Sequence, residues 1–334
     1  MADTIFDVLT IGNAIVDVIA PIDPDFLTRE GMSEGIMHLV DAERSAYLYE
    51  RMPEAKRQIS GGSSANTAAG VASFGGKAAF IGKVAADPLG DVFADDLGTI
   101  GVHYSIDRLN EGPATARSMI LVSPGGERTM NTYLGACQQL TVADIKEAEI
   151  GGAAVTYMEG YLWDPPEAKK AFVLASQYAH KHERPTAFTL SDPFCVNRYR
   201  DEFLDLMRSK TIDYVFANIE EAKALYQTDS LHEAVQQIAK DCELAAITMG
   251  SQGAMAVMNG EIVTVPAFPV PDVVDATGAG DLFASGFLLA LSRGRDLKTA
   301  LAAGCLAASE VISHIGARPM RDLNQLAREH KLAI

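Results

Sequence analysis

The sequence predicts an α/β protein whose central sheet is mainly parallel and covered by helices on both faces. Three observations carry that expectation. Short apolar runs of strand length alternate with helical patterns over most of the chain, the repeat that builds βαβ units. The first run, from Phe6 to Ile11, halts at Gly12-Asn13 as a buried strand halts at a turn. The alternation is then interrupted once, by a helix-poor patch with the marks of an antiparallel hairpin.

The elements follow in order. After the first strand, a small-residue helix over 64–74, an apolar strand over 78–84 and an amphipathic helix over 89–100 give β-α-β-α order. The runs TARSMILVS and RTMNTYL are joined by Pro124-Gly125-Gly126-Glu127, a hairpin signal. The alternation resumes with strands expected over 153–158, 186–191, 214–217 and 244–249. Helices are expected over 166–182, 198–209, 220–226 and 231–240. Asn259-Gly260 between AMAVM and EIVTV reads as a two-residue hairpin turn, and the chain from Ala279 onward reads as three helices.

Composition narrows the function. With 334 residues, 48% apolar and 22% charged, the chain has the makings of one large or two modest folded domains, which excludes peptide hormones and small disulfide scaffolds. Lys and Arg number 28 against 44 Asp and Glu, a net charge of −16, and no basic block is present to track a phosphate backbone or an anionic membrane. A small anion would have to be held by local devices such as helix N-terminal amides. Cys137, Cys195, Cys242 and Cys305 are far apart and suggest neither zinc nor a disulfide framework. Asp3 and Asp7 stand where a signal peptide needs basic residues, and no 18-residue apolar stretch occurs, so a cytoplasmic location is expected.

The most informative stretch is Asp275-Ala-Thr277-Gly278-Ala279-Gly280-Asp281, which opens a strongly apolar helical pattern. The amides of Gly278, Ala279 and Gly280 can face an anion at that helix N-terminus. Asp281 either takes the proton of an attacking hydroxyl or merely complements the helix dipole. In GGSSAN, Gly61 and Gly62 permit close backbone approach while Ser63 and Asn66 offer polar groups to sugar hydroxyls, or the same residues simply cap a helix. Asp17 can accept two hydrogen bonds from a diol or be a solvated turn carboxylate. Asn218 and Glu221 read as a capping box and also as a pair that can hold water on Mg²⁺. Thr248, Gly250 and Gly253 follow a strand, where open α/β sheets bind ligands, and Arg128 is a candidate phosphate partner. No G-x-x-x-x-G-K-[ST], no G-x-G-x-x-G after the first strand and no G-x-S-x-G elbow is present.

In combination, GGSSANTAAGVASFGGKAAFIGKVAADPLG and DVVDATGAGDLFASGFL, with Asn218-x-x-Glu221 and Thr248-x-Gly250-x-x-Gly253 between them, resemble the ribokinase-like (PfkB) family of carbohydrate kinases over nearly the whole chain. That resemblance implies an ATP-dependent transfer to a sugar hydroxyl. Asp281 would be the base, Gly278, Ala279 and Gly280 the anion hole, and Asn13, Asp17, Gly61, Gly62, Ser63, Asn66, Arg128 and Tyr161 the acceptor site. Thr277, Thr248, Gly250, Gly253 and Asn218 would approach the nucleotide, with Asn218 and Glu221 holding Mg²⁺ through water. The resemblance also implies a large α/β unit from 1–13, 41–103 and 138–334, and a small β lid from 14–40 and 104–137. Gly12-Asn13-Ala-Ile-Val-Asp17, Gly61-Gly62-Ser63, Tyr133-Leu-Gly-Ala-Cys137 and Leu190-Ser-Asp-Pro-Phe-Cys195 are similar to adenosine kinases within that family. Adenosine is thus the expected acceptor, with Tyr161, Leu162 and Trp163, after the strand over 153–158, either walling its adenine or packing in the sheet; ribose, fructose, inosine and guanosine stay open, as does a nucleoside binder without catalysis. A monovalent cation such as K⁺, as some members need, and a monomer or homodimer are left open too.

Overall fold

The computed structural model describes residues 4–23, 25–54 and 56–334; Asp3 and the start of the 1–13 segment lie outside them. From edge to edge the larger sheet runs Glu261–Val265, Ala254–Met258, Leu244–Thr248, Tyr214–Asn218, Thr186–Thr189, Ala153–Glu159, Phe6–Ile11, Ala78–Ile81 and Val102–His103. Every pairing is parallel except the two made by Ala254–Met258.

Period-two alternation divides these strands between two cores. On Phe6–Ile11, Val8 faces one core while Leu9 and Ile11 face the other; on Leu244–Thr248, Leu244 and Ala246 oppose Ala245 and Ile247. The first core is closed by the helices Ser63–Ser73, Ala279–Ser292 and Leu297–Val311, the second by Pro166–Lys181, Pro193–Arg208, Ile219–Tyr226 and Leu231–Asp241.

A second sheet runs Met37–Leu39, Arg128–Tyr133, Ala116–Val122, Ile15–Pro21 and Arg57–Gly61. Its last strand lies inside 41–103, the stretch the sequence assigns to the large unit. Residues 57–61 pair antiparallel with Ile15–Pro21, Gly61 opposite Ile15, so that the small sheet reaches further along the chain than expected. The physical reason is that RQISG, polar at its start and glycine at its end, carries no apolar alternation of its own.

Both hairpins form. Asn259 and Gly260 take φ of 52° and 80°, the left-handed pair that a two-residue turn needs. The helix expected over 198–209 starts earlier, at Pro193, where Asp192 caps the Cys195 amide at 2.6 Å, and it kinks at Tyr199.

Candidate active site

Asp281 sits in the first turn of the helix Ala279–Ser292. Gly278, at φ 81°, caps that helix, and a Cβ there would fall 2.7 Å from the Ala317 Cβ, so the tight turn requires glycine on both counts. The Ala279 amide closes a turn onto the Ala276 carbonyl at 3.3 Å, whereas the amides of Gly278 and Gly280 make no hydrogen bond among the described residues. The helix therefore opens with polar N–H groups free for an anion, which the dipole favours.

Both Asp281 oxygens are held. Oδ1 accepts the Ser63 hydroxyl at 2.6 Å and Oδ2 accepts the Asn66 amide at 2.9 Å. Burial raises its carboxyl above the usual aspartate range, and these two bonds and the Arg318 charge oppose the rise. Asn66 Oδ1 is buried with no partner, an acceptor left for a ligand hydroxyl.

Asp17 comes from the facing small sheet. Burial pushes its carboxyl up to about 6 against the pull of Arg128 and Arg318. A Cβ at Gly61 would meet the Asp17 carboxylate at 2.6 Å, so Gly61 gives that side chain room from behind and does not line the cavity.

A cleft of about 540 Å³ lies between the sheets. Its walls bring together Asp17, Gly62, Ser63, Asn66, Arg128, Tyr161, Asn218, Glu221, Thr248 and the run from Thr277 to Asp281. Two smaller cavities adjoin it. One of about 270 Å³ is lined by Asn13, Ser63, Leu134, Tyr161, Phe194 and Tyr199; the other, of about 160 Å³, by Thr248, Gly250, Gly253, Phe268, Gly280 and Phe283. Of the three residues that the sequence offers as a purine wall, only Tyr161 lines the cleft and the cavity beside it. Leu162 and Trp163 are buried in the core, Trp163 against Phe172, Phe188 and Phe203.

Asn218 and Glu221 form the capping box foreseen: Asn218 Oδ1 accepts the Glu221 amide at 2.8 Å, and Glu221 accepts the Asn218 backbone and side-chain amides at 3.0 and 2.6 Å. Burial pushes the Glu221 carboxyl to about 7. Arg128 does not hang free over the cleft. It is ion-paired with Asp275, which also accepts the amides of Thr277 and Gly316, each at 2.9 Å; the Arg128 Nε is buried without a partner.

Three residues escaped the sequence reading. Glu159 lies 1% exposed at the carboxyl end of a parallel strand, an acidic residue closing an apolar run, which is a signal for a ligand-end position in such sheets. Asp275, read only as the start of its motif, holds Arg128. Arg318 donates to the Ser60 and Ala65 carbonyls at 2.8 and 2.7 Å from an irregular segment that carries no pattern.

The model of the pfkB family of carbohydrate kinases matches residues 37–323. The chain belongs to this family. As a pfkB kinase it is a phosphotransferase with a hydroxyl acceptor, of the sugar and nucleoside kinase group. Adenosine kinase of Saccharomyces cerevisiae is 28% identical over 92% of this chain and 95% of its own length. Two solved pfkB relatives are 52% identical: a probable sugar kinase from Rhizobium etli, with a TM-score of 0.91 over 99% of this chain and 100% of the other, and adenosine kinase from Sinorhizobium meliloti, with 0.89 over 97% and 99%. The fold is thus the ribokinase-like one, a mostly parallel large sheet with helices and a second small sheet. Among the described residues no helix is long and apolar enough to cross a membrane.

Proposed function

We propose that this chain transfers the γ-phosphoryl group of ATP to the primary hydroxyl of a ribose-containing acceptor, adenosine first among them. The observation that carries the reading is that Asp281 lines the central cleft while Ser63, its hydrogen-bond partner, and Gly280, its neighbour, each also line one of the two smaller cavities. A free pentose fills only the polar part, whose groups are Asp17, Ser63 and Asn66. A nucleoside also fills the aromatic-walled cavity of Tyr161 and Phe194, which suits a flat apolar base. The opposite cavity, reached past Gly250 and Gly253, suits the nucleotide.

In this reading Asp281 takes the hydroxyl proton as the acceptor oxygen attacks, and the amides of Gly278 and Gly280 receive the charge of the transferring group. The small sheet acts as a lid, bringing Asp17 and Arg128 over the acceptor and keeping water from competing with it. Among the described residues no cluster of three or more His, Cys, Asp or Glu could cage a metal. A single carboxylate, Glu221, with lone pairs left on both oxygens, fits magnesium carried on the ATP phosphates with water between. When bound, magnesium would offset phosphate charge; Asn218 and Glu221 would orient its water.

The test is ADP formation with Mg-ATP and equal concentrations of adenosine, inosine, guanosine, ribose and fructose, with and without K⁺. Preference for adenosine supports the full reading. Turnover of a free sugar alone keeps the chemistry and removes the nucleoside, an outcome for which the Rhizobium etli relative's name leaves room. No ADP with any acceptor overturns the reading in favour of a binding protein.

A further inference from the structure

Among the described residues the chain passes between the two sheets four times: the first passage, from Ile11 to Ile15, is short, and the second leaves the small sheet at Gly61 and enters the helix Ser63–Ser73 at once on its way to Ala78. One oxygen of Glu159 accepts the Asn13 amide within the first passage, and the other accepts the Ser64 amide in the first turn of that helix, both at 2.7 Å. A single carboxylate on the larger sheet therefore grips the first passage and the start of the second. A separate observation agrees. A Cβ at Gly12 would fall 2.2 Å from Glu159 Oε2, so the carboxylate can lie against the first passage only because residue 12 has no side chain. The residues next to the gripped amides belong to the site: Ser63 and Asn66 bind Asp281, and Asn13 lines the acceptor-side cavity.

We propose that Glu159 is a positioning residue that fastens the Ile11–Ile15 passage and the first turn of the helix Ser63–Ser73 to the larger sheet and so sets the placement of Asn13, Ser63 and Asn66 relative to Asp281. It acts through those residues and takes no proton from the acceptor. Burial, with the Asp281 charge adding to it, raises the Glu159 carboxyl to about 7; Tyr157, Cys137 and Cys195 are the other titratable groups that feel its charge. The ionised form accepts from both amides and the protonated form less well, so the grip weakens as pH falls through about 7.

The inference rests on Asp281 being the base only for its effect on turnover, and amide exchange reads the grip itself. Glu159→Gln keeps the shape but turns an NH₂ toward one of the two amides. The expected result is a kcat at least tenfold lower, a KM for ATP within twofold of wild type, and hydrogen–deuterium exchange at least tenfold faster at Asn13 and Ser64, with unchanged far-UV circular dichroism. Turnover within twofold of wild type overturns the proposal. So does lost turnover with wild-type exchange, which would mean that Glu159 touches the acceptor directly. Should that variant not fold, Gly12→Ala displaces the carboxylate without removing its charge and must produce the same pair of effects; wild-type levels of both overturn the proposal. In the wild-type protein itself both amides must be protected, and rapid exchange of either overturns it even if no acceptor is ever turned over.

Discussion

Asp281 is held at both oxygens by Ser63 and Asn66, in a turn that burial keeps short of water. Replacing it with Asn preserves size and most hydrogen bonding but removes the carboxylate proposed to take the hydroxyl proton. Asp281→Asn should lower kcat by about 10²–10⁴-fold while adenosine affinity, read by calorimetry, stays near wild type. Asp17 makes a second case, in which function and stability oppose each other. Its carboxyl rises from 3.8 to about 6 on folding, so the folded state binds its proton more tightly than the unfolded chain does. With respect to this group the protein is most stable below about pH 4, loses stability as pH climbs to about 6, and stays at the lower level above that. Asp17→Asn should therefore be more stable than wild type at pH 8, by about 1–3 kcal/mol in urea unfolding after allowance for solvent in the cleft. The gap should close toward pH 4, and acceptor binding should be lost. At this scale, Asp281 and its glycines were legible because they lie together in one short motif. Glu159 and Arg318 were not, since each is a lone charge whose partners lie far off in the chain, Ser60 standing 258 positions from Arg318.

The helix Ala279–Ser292 carries the glycine turn with its unpaired amides at one end and is buried from Leu282 to Ala290. Phe287, 0% exposed, meets Phe216 edge-on at 5.4 Å and stacks on Phe283 at 5.8 Å. Phe287→Ala should cost about 3–5 kcal/mol in urea unfolding. Turnover should fall as well, because the same rigid element aims Gly278, Gly280 and Asp281. Elements of this kind were readable in advance: a continuous apolar helix, strands between helices and an Asn-Gly turn each declare themselves locally. Arg57–Gly61 did not, because a short polar strand exists only through its pairing with Ile15–Pro21. The helix Ala42–Arg51 was passed over too, although Asp41 caps it at the Arg44 amide, 2.8 Å away.

Across the whole molecule, the ion pair of Arg128 with Asp275 joins the small sheet to the loop that leads into the Asp281 helix. A guanidinium so placed can exchange one anion for another, its carboxylate for a phosphate, as the sheets close. Arg128→Ala should lower kcat/KM for the acceptor about tenfold, near 1.4 kcal/mol. It should also raise ADP formation without acceptor relative to transfer, since a lid that seals less well admits water. Separate assays of ADP and of phosphorylated acceptor would show the split. The two-sheet plan was foreseeable in outline, but its true border was not, since it depends on which distant segments pair.

The hydrogen bond from Ser63 to Asp281 joins residues 218 positions apart. On a ribosome adding about 5–20 residues per second, the small-residue helix that carries Ser63 is made roughly 10–40 s before the helix that will cover it. During synthesis its alanine-rich face has no mate, and half of the site waits for the other half to be translated. A chain cut short before Asp281 would thus lack that carboxylate and also leave an apolar surface bare, which makes incomplete products of this gene natural clients for chaperones and proteases.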